Sequence, residues 1–178
     1  MFSTWLSAAS FIGVLAAIGL AFHSNMIARD TAKRELRAYI NVAYAEVEPP
    51  ESPLNFKARI HFENFGMTPA YDVQSRVNSR TVGGGVLDSF SRELSHREPS
   101  PPFVAAPRRQ FSRTVDVILD PEELDSLESG IAHAIIYGDV TYGDAFGQPR
   151  TTTFCMRVFH FRKPNEKIVP WGNGDSAT

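Results

Sequence analysis

Between Phe2 and Phe22 the chain carries no charged side chain, and the first basic residue is Arg29. That run, FSTWLSAASFIGVLAAIGLAF, is 21 residues long. A helix needs roughly 20 apolar residues to cross a bilayer. It lacks the basic start and the A-x-A close of a cleaved signal peptide. A buried core helix is a poor alternative, because the segment is apolar on every face. The expectation is an uncleaved spanning helix over residues 1–22, with Trp5 as an interfacial aromatic.

Direction follows from the basic residues. Arg29, Lys33, Arg34 and Arg37 lie downstream of the run and none lies upstream. The positive-inside bias therefore places the C-terminal domain in the cytoplasm, with a periplasmic domain as the alternative. The same four residues are candidates for contact with anionic head groups, weakened by Asp30 and Glu35 among them. Ala9, Gly13, Ala17 and Ala21 recur every four residues and form a small-residue stripe suited to close helix packing. A homo-oligomer through this helix, or a scaffold role in a larger membrane complex, is the corresponding expectation.

The chain has 18 Lys+Arg and 20 Asp+Glu. Four basic and two acidic side chains precede Ala38, so the remainder is mildly acidic, at about −4. Nucleic-acid binding needs clustered positive charge and is not expected. The single Cys155 permits no intramolecular disulfide and agrees with a reducing compartment.

Residues 23–37 hold no Gly or Pro and suit a helical stalk. From Ala38 the periodicity changes to two. Ile40, Val42 and Tyr44 share one face of the first strand. Phe56, Ala58, Ile60 and Phe62 alternate with Lys57, Arg59, His61 and Glu63 in the next. Tyr71, Val73, Ser75 and Val77 share a face in the third. Such alternation marks antiparallel strands with one wet face. Residues 81–108 are irregular, with Gly83-Gly84-Gly85, four prolines and a short strand at Phe103–Ala106. Residues 110–119 return to strand, with Phe111, Val115, Val117 and Leu119 aligned.

A short helix follows with full punctuation. Asp120 is its N-cap, Pro121 its first position, Glu123 the reciprocal cap and Gly130 its end. Residues 131–142 and 151–161 are the last two strands, joined by a Gly- and Pro-bearing hairpin loop. The expected fold is mainly β, an antiparallel immunoglobulin-like sandwich over residues 38–163. The short helix precedes its penultimate strand, and residues 164–178 form a flexible tail. An open barrel is the competing architecture.

Four stretches carry a resemblance. They are Arg37-Ala38-Tyr39-Ile40, Asn64-Phe65-Gly66-Met67-Thr68-Pro69-Ala70-Tyr71-Asp72-Val73, Tyr137-Gly138-Asp139-Val140-Thr141-Tyr142 with Asp144-Ala145-Phe146-Gly147, and Thr151-Thr152-Thr153-Phe154. With the closing Gly172-Asn173-Gly174-Asp175, they resemble a group of small uncharacterised bacterial membrane proteins. The resemblance implies an inner-membrane helix, a polar stalk and one β-rich domain, and supplies no catalytic residue.

Searching for chemistry yields little. There is no Gly-x-Ser-x-Gly, no His-Glu-x-x-His, no phosphate loop and no Cys-x-x-Cys. Gly83-Gly84-Gly85 has no Lys or helix start behind it to make an anion cradle. The histidines His23, His61, His96, His133 and His160 lack metal-site spacing, and His61 reads as exposed. Cys155 reads as inert packing. Asp139 and Asp144, with Tyr142, form the one conceivable acid–base group, and the favoured reading is solvated strand ends. The expectation is a non-catalytic, membrane-anchored interaction module without a cofactor. Its protein partner docks on residues 81–108.

Overall fold

The computed structural model describes residues 2–49, 52, 54–83, 98–158, 167–170 and 176–177, with side chains omitted at 2–16, 167, 169, 176 and 177. The chain divides into two units, Met1–Arg37 and Ala38–Thr178.

The first unit is one helix, α1, over Phe2–Leu36. It runs unbroken through the expected boundary between span and stalk. The described residues contain no helix long and apolar enough to cross a membrane. The side chains of 2–16, most of the Phe2–Phe22 run, lie outside the described residues.

In the second unit, β1 is Ile40–Val47, β2 Asn55–Asn64, β3 Ala70–Gly83, β4 Phe103–Ala105 and β5 Gln110–Ile118. Helix α2 is Pro121–Glu128, followed by β6 at Ala132–Gly143, β7 at Pro149–Val158, β8 at Lys167–Pro170 and β9 at Ser176–Ala177. Hydrogen bonds link the strands in the order β4-β3-β6-β7-β8-β1-β2-β5, with β9 also on β7. Every described pairing is antiparallel. Short β8 is the bridge: Ile168 pairs with Ala45 of β1 and Pro170 with Met156 of β7. The expected tail at 164–178 therefore contributes β8 and β9, while 164–166, 171–175 and 178 lie outside the described residues.

Ring contacts join distant strands of this path through the core. Phe62 of β2 meets Phe154 of β7 edge-on at 5.3 Å, and Phe103 of β4 meets Phe111 of β5 at 4.8 Å. Phe56, Ala58, Ile60 and Phe62 are all buried, as their alternation predicts. Each large side chain among them contributes about 1.5–3 kcal/mol by leaving water.

Two strands depart from simple alternation. In β1 the register with β2 slips between Val42 and Tyr44, so Ile40, Ala45 and Val47 are buried. Tyr44 turns outward and stacks on His61 at 4.1 Å. In β3 a bulge lies between Tyr71 and Gln74, and Asp72 has φ +50°. One extra residue reverses the side-chain parity upstream of it. Ala70 and Val73 are therefore both buried, and Tyr71 leaves the core face, where alternation had placed it.

Helix α2 is punctuated as its sequence demands. Asp120 Oδ1 accepts from Glu123 N at 2.7 Å, and Asp120 N donates to Glu123 Oε2 at 3.1 Å. At the other end Ile131 N reaches Ser126 O and Gly130 N reaches Leu127 O, with Gly130 at φ +74°. This pair of bonds is the Schellman arrangement, which a left-handed glycine completes at least cost.

Candidate functional site

The Asn64-to-Val73 stretch is organised by one side chain. Asn64 is fully buried. Its Oδ1 accepts from Tyr39 N at 3.1 Å and Gly66 N at 3.0 Å, and its Nδ2 donates to Thr68 O at 2.9 Å and Ala105 O at 3.1 Å. All four hydrogen-bonding positions of the amide are used. The β2–β3 turn, the entry to β1 and the end of β4 are thereby held together at one end of the domain.

The β6–β7 hairpin at the same end has its own organiser. Asp144 Oδ1 accepts from the N–H groups of Phe146 and Gln148, each at 2.9 Å. Its Oδ2 accepts from Arg150 Nε at 3.2 Å. Gly147 closes the turn at φ +75°. Burial raises the carboxyl pKa of Asp144, but the Gln148, Phe146 and Arg150 donors together outweigh it, and the group ends below its ordinary value.

The three residues read as a conceivable acid–base group are thus accounted for separately. Asp139 and Asp144 are each only 3% exposed, not the solvated strand ends expected. β6 and β7 are neighbours with both faces largely covered, which leaves little of either carboxylate to water. Asp139 takes a two-point ion pair from Arg76, its direct cross-strand partner, with Nε at 2.9 Å and Nη2 at 2.5 Å. The hydrogen bond to Asp139 and its charge raise the Arg76 pKa against the lowering effect of burial. Tyr142 turns into the core, where its hydroxyl accepts from Ile40 N at 3.2 Å. Beside it, Thr152 Oγ1 donates to Ile40 O at 2.6 Å.

Among the described residues the histidines do not converge. His61 is half-buried under Tyr44 rather than exposed, with Nε2 3.3 Å from Glu46 Oε1. His133 lies beside Arg157, whose Nη2 is 2.7 Å from its Nε2 and 3.0 Å from its Nδ1. Burial and that guanidinium lower the His133 pKa. His96 and His160 lie outside the described residues, as do Gly84 and Gly85. Among the described residues no three His, Cys, Asp or Glu groups gather to hold a metal ion. Cys155 is buried with Val82, Ile135 and Tyr137 in a second cluster, on the sheet face opposite the main core.

Of the helix stripe, Ala17 and Ala21 are exposed on α1, as are Arg29, Lys33 and Arg34, while Arg37 is half-buried at its exit; the side chains of Ala9 and Gly13 lie outside the described residues. Of the expected docking segment 81–108, residues 84–97 also lie outside them. The described remainder is built into the fold: Ser100 Oγ accepts from Ser75 N, and β4 pairs with β3.

A concave surface appears instead between the β3 bulge and the β6–β7 hairpin. This open groove has a volume of about 740 Å³ and is lined by Tyr71, Asp72, Thr141, Gly143, Arg150 and Thr151, among others. Gly143 pairs with Tyr71, and a Cβ added there would meet only Tyr71 O at 3.8 Å. Tyr71 is 44% exposed. Among the described residues only the Nε of the Arg150 guanidinium is held, and its two Nη groups have no partner. Sequence reasoning missed this groove because it depends on the Asp72 bulge. No local signal was available, since Tyr71, Val73 and Ser75 keep the alternation of an undisturbed strand.

Fold and site define a mainly antiparallel β-domain, preceded by a long helix, with a groove at one end. The chain belongs to a family described as a domain of unknown function, DUF8453, whose model matches residues 2–162. The match takes in α1 and β1 through β7. No curated protein and no solved structure matches the chain.

Proposed function

We propose that this chain is a single-pass, membrane-anchored interaction module of the bacterial inner membrane, with an immunoglobulin-like β-sandwich that docks a protein partner in the Tyr71–Gly143–Arg150 groove and performs no catalysis. The strand order supports the fold reading. Lettered in the immunoglobulin manner, β1-β2-β5 is A-B-E and β3-β6-β7 is C-F-G, with β4 moved beside β3.

The membrane reading rests on the uncharged 21-residue run within α1. A helix satisfies its own backbone groups, as a bilayer requires. The basic residues after the run favour a cytoplasmic domain. Protease treatment of sealed inner-membrane vesicles tests this: digestion from the periplasmic face would overturn the orientation.

One observation carries the docking reading: a groove floored by a glycine and bordered by a guanidinium whose Nη groups have no partner among the described residues. The non-catalytic reading is supported by Asp139, Tyr142 and Asp144, which are each committed to a structural partner. Photo-crosslinking residues placed at Tyr71 and Thr141 in native membranes test the site, with exposed Thr114 as control. Discrete adducts from the groove positions alone are expected. No adducts, or the same adducts from Thr114, would refute it.

A further inference from the structure

We propose that the groove takes a single carboxylate, presented by an acidic side chain of a partner peptide, with Arg150 as its anchor. This rests on the docking reading above and names the chemistry of the docked group. Arg150 is oriented before any ligand arrives. Its Nε is held by Asp144, and Asp144 is fixed by the N–H groups of Phe146 and Gln148. The Nη donors left over form a planar edge that matches a carboxylate.

The charges around the groove select the kind of anion. The Asp144 charge is shared among three donors and its side chain is 1% exposed, so little of it faces a ligand. Asp72, on the groove wall, is exposed and carries its own negative charge. One guanidinium against one exposed carboxylate tolerates a monoanion and repels a dianion. Bare Gly143 leaves the floor open, and the exposed Tyr71 ring offers apolar surface to the next peptide residue.

The test is an amide-shift titration of the detergent-solubilised full chain with three capped tripeptides: Gly-Glu-Gly, Gly-Gln-Gly and Gly-phosphoSer-Gly. The Glu peptide should shift the amides of Tyr71, Gly143 and Thr151 saturably, the Gln peptide should leave them still, and the phosphoserine peptide should bind more weakly. Arg150→Gln should weaken the Glu peptide about tenfold or more, by the usual strength of a hydrogen bond to a charged group. Gly143→Val should abolish the response by filling the groove, with the Asp144–Arg150 pair untouched. An equal response to Gln, a stronger response to phosphoserine, or none at all would overturn the carboxylate assignment. Groove-specific crosslinks surviving such a failure would leave the docking reading standing; loss of both would remove both.

Discussion

The Phe154 ring occupies the space where Gly138 lacks a side chain. A Cβ at Gly138 would stand 2.7 Å from Phe154 Cζ and 2.1 Å from the Arg76 carbonyl oxygen. The ring can shift, but the carbonyl belongs to the paired strand and cannot move without breaking the β3–β6 ladder. Gly138→Ala should therefore destabilise the domain by about 3 kcal/mol or more, at or beyond the upper end of ordinary overpacking. The urea midpoint of the solubilised chain reads this, and a change under about 0.5 kcal/mol, the usual surface-substitution range, would contradict it.

Asn64→Asp tests whether the amide is needed as a donor. The carboxylate keeps both acceptor contacts, to Tyr39 N and Gly66 N, but faces the oxygens of Thr68 and Ala105 with nothing to donate. The introduced acid should titrate above its ordinary value, because only its neutral form can donate. A raised folded pKa means stability is lost as pH rises from about 4. At neutral pH the cost should be about 3 kcal/mol, from two unsatisfied buried acceptors. Melting temperatures across pH 4–8 check the sign.

Asp144 should shape the acid limb of stability. Its folded pKa lies below the ordinary value, so its contribution is fully present above about 3.9 and is lost as pH falls through the folded value. Asp144→Asn retains an acceptor for Phe146 and Gln148 but removes the charge facing Arg150. The variant should be less stable by about 1–2 kcal/mol at pH 7, the usual worth of a charge-assisted hydrogen bond. The difference should shrink below pH 4. A gap that stays constant through acid would show that the charge is immaterial.

His133 acts at milder pH. Burial, with the Arg157 guanidinium beside it, holds the ring neutral and the pKa lowered. The unfolded ring gains a proton near pH 6.5 while the folded one resists, so stability should fall as pH drops below that value. His133→Gln should flatten the dependence between pH 6.5 and 5. Denaturant midpoints at pH 7.5 and 5.5 for both proteins measure it; equal slopes would rule out His133 as the cause.

Elements with local causes were legible. The α2 caps were readable because capping uses residues three apart, and Asp120, Glu123 and Gly130 stand in the chain where the helix ends require them. The core face of β2 was readable because an undisturbed strand alternates strictly. β1 and β3 were half legible, since each contains a register slip that alternation does not announce. The two carboxylates were misread as solvated, because burial of Asp139 and Asp144 depends on what packs around β6 and β7.

The sequence by itself therefore determined the uncharged N-terminal run, the mainly β character after Ala38, the helix caps and the turn residues, all of which arise from contacts within a few positions. Only the tertiary structure decided the rest. Asn64 became a four-bond junction because Tyr39 and Ala105, distant in the chain, arrive beside it. The groove exists because the Asp72 bulge swings Tyr71 out of the core while the hairpin holds Arg150 on Asp144. Those relationships are long-range pairings, whose partners no local pattern of residues names.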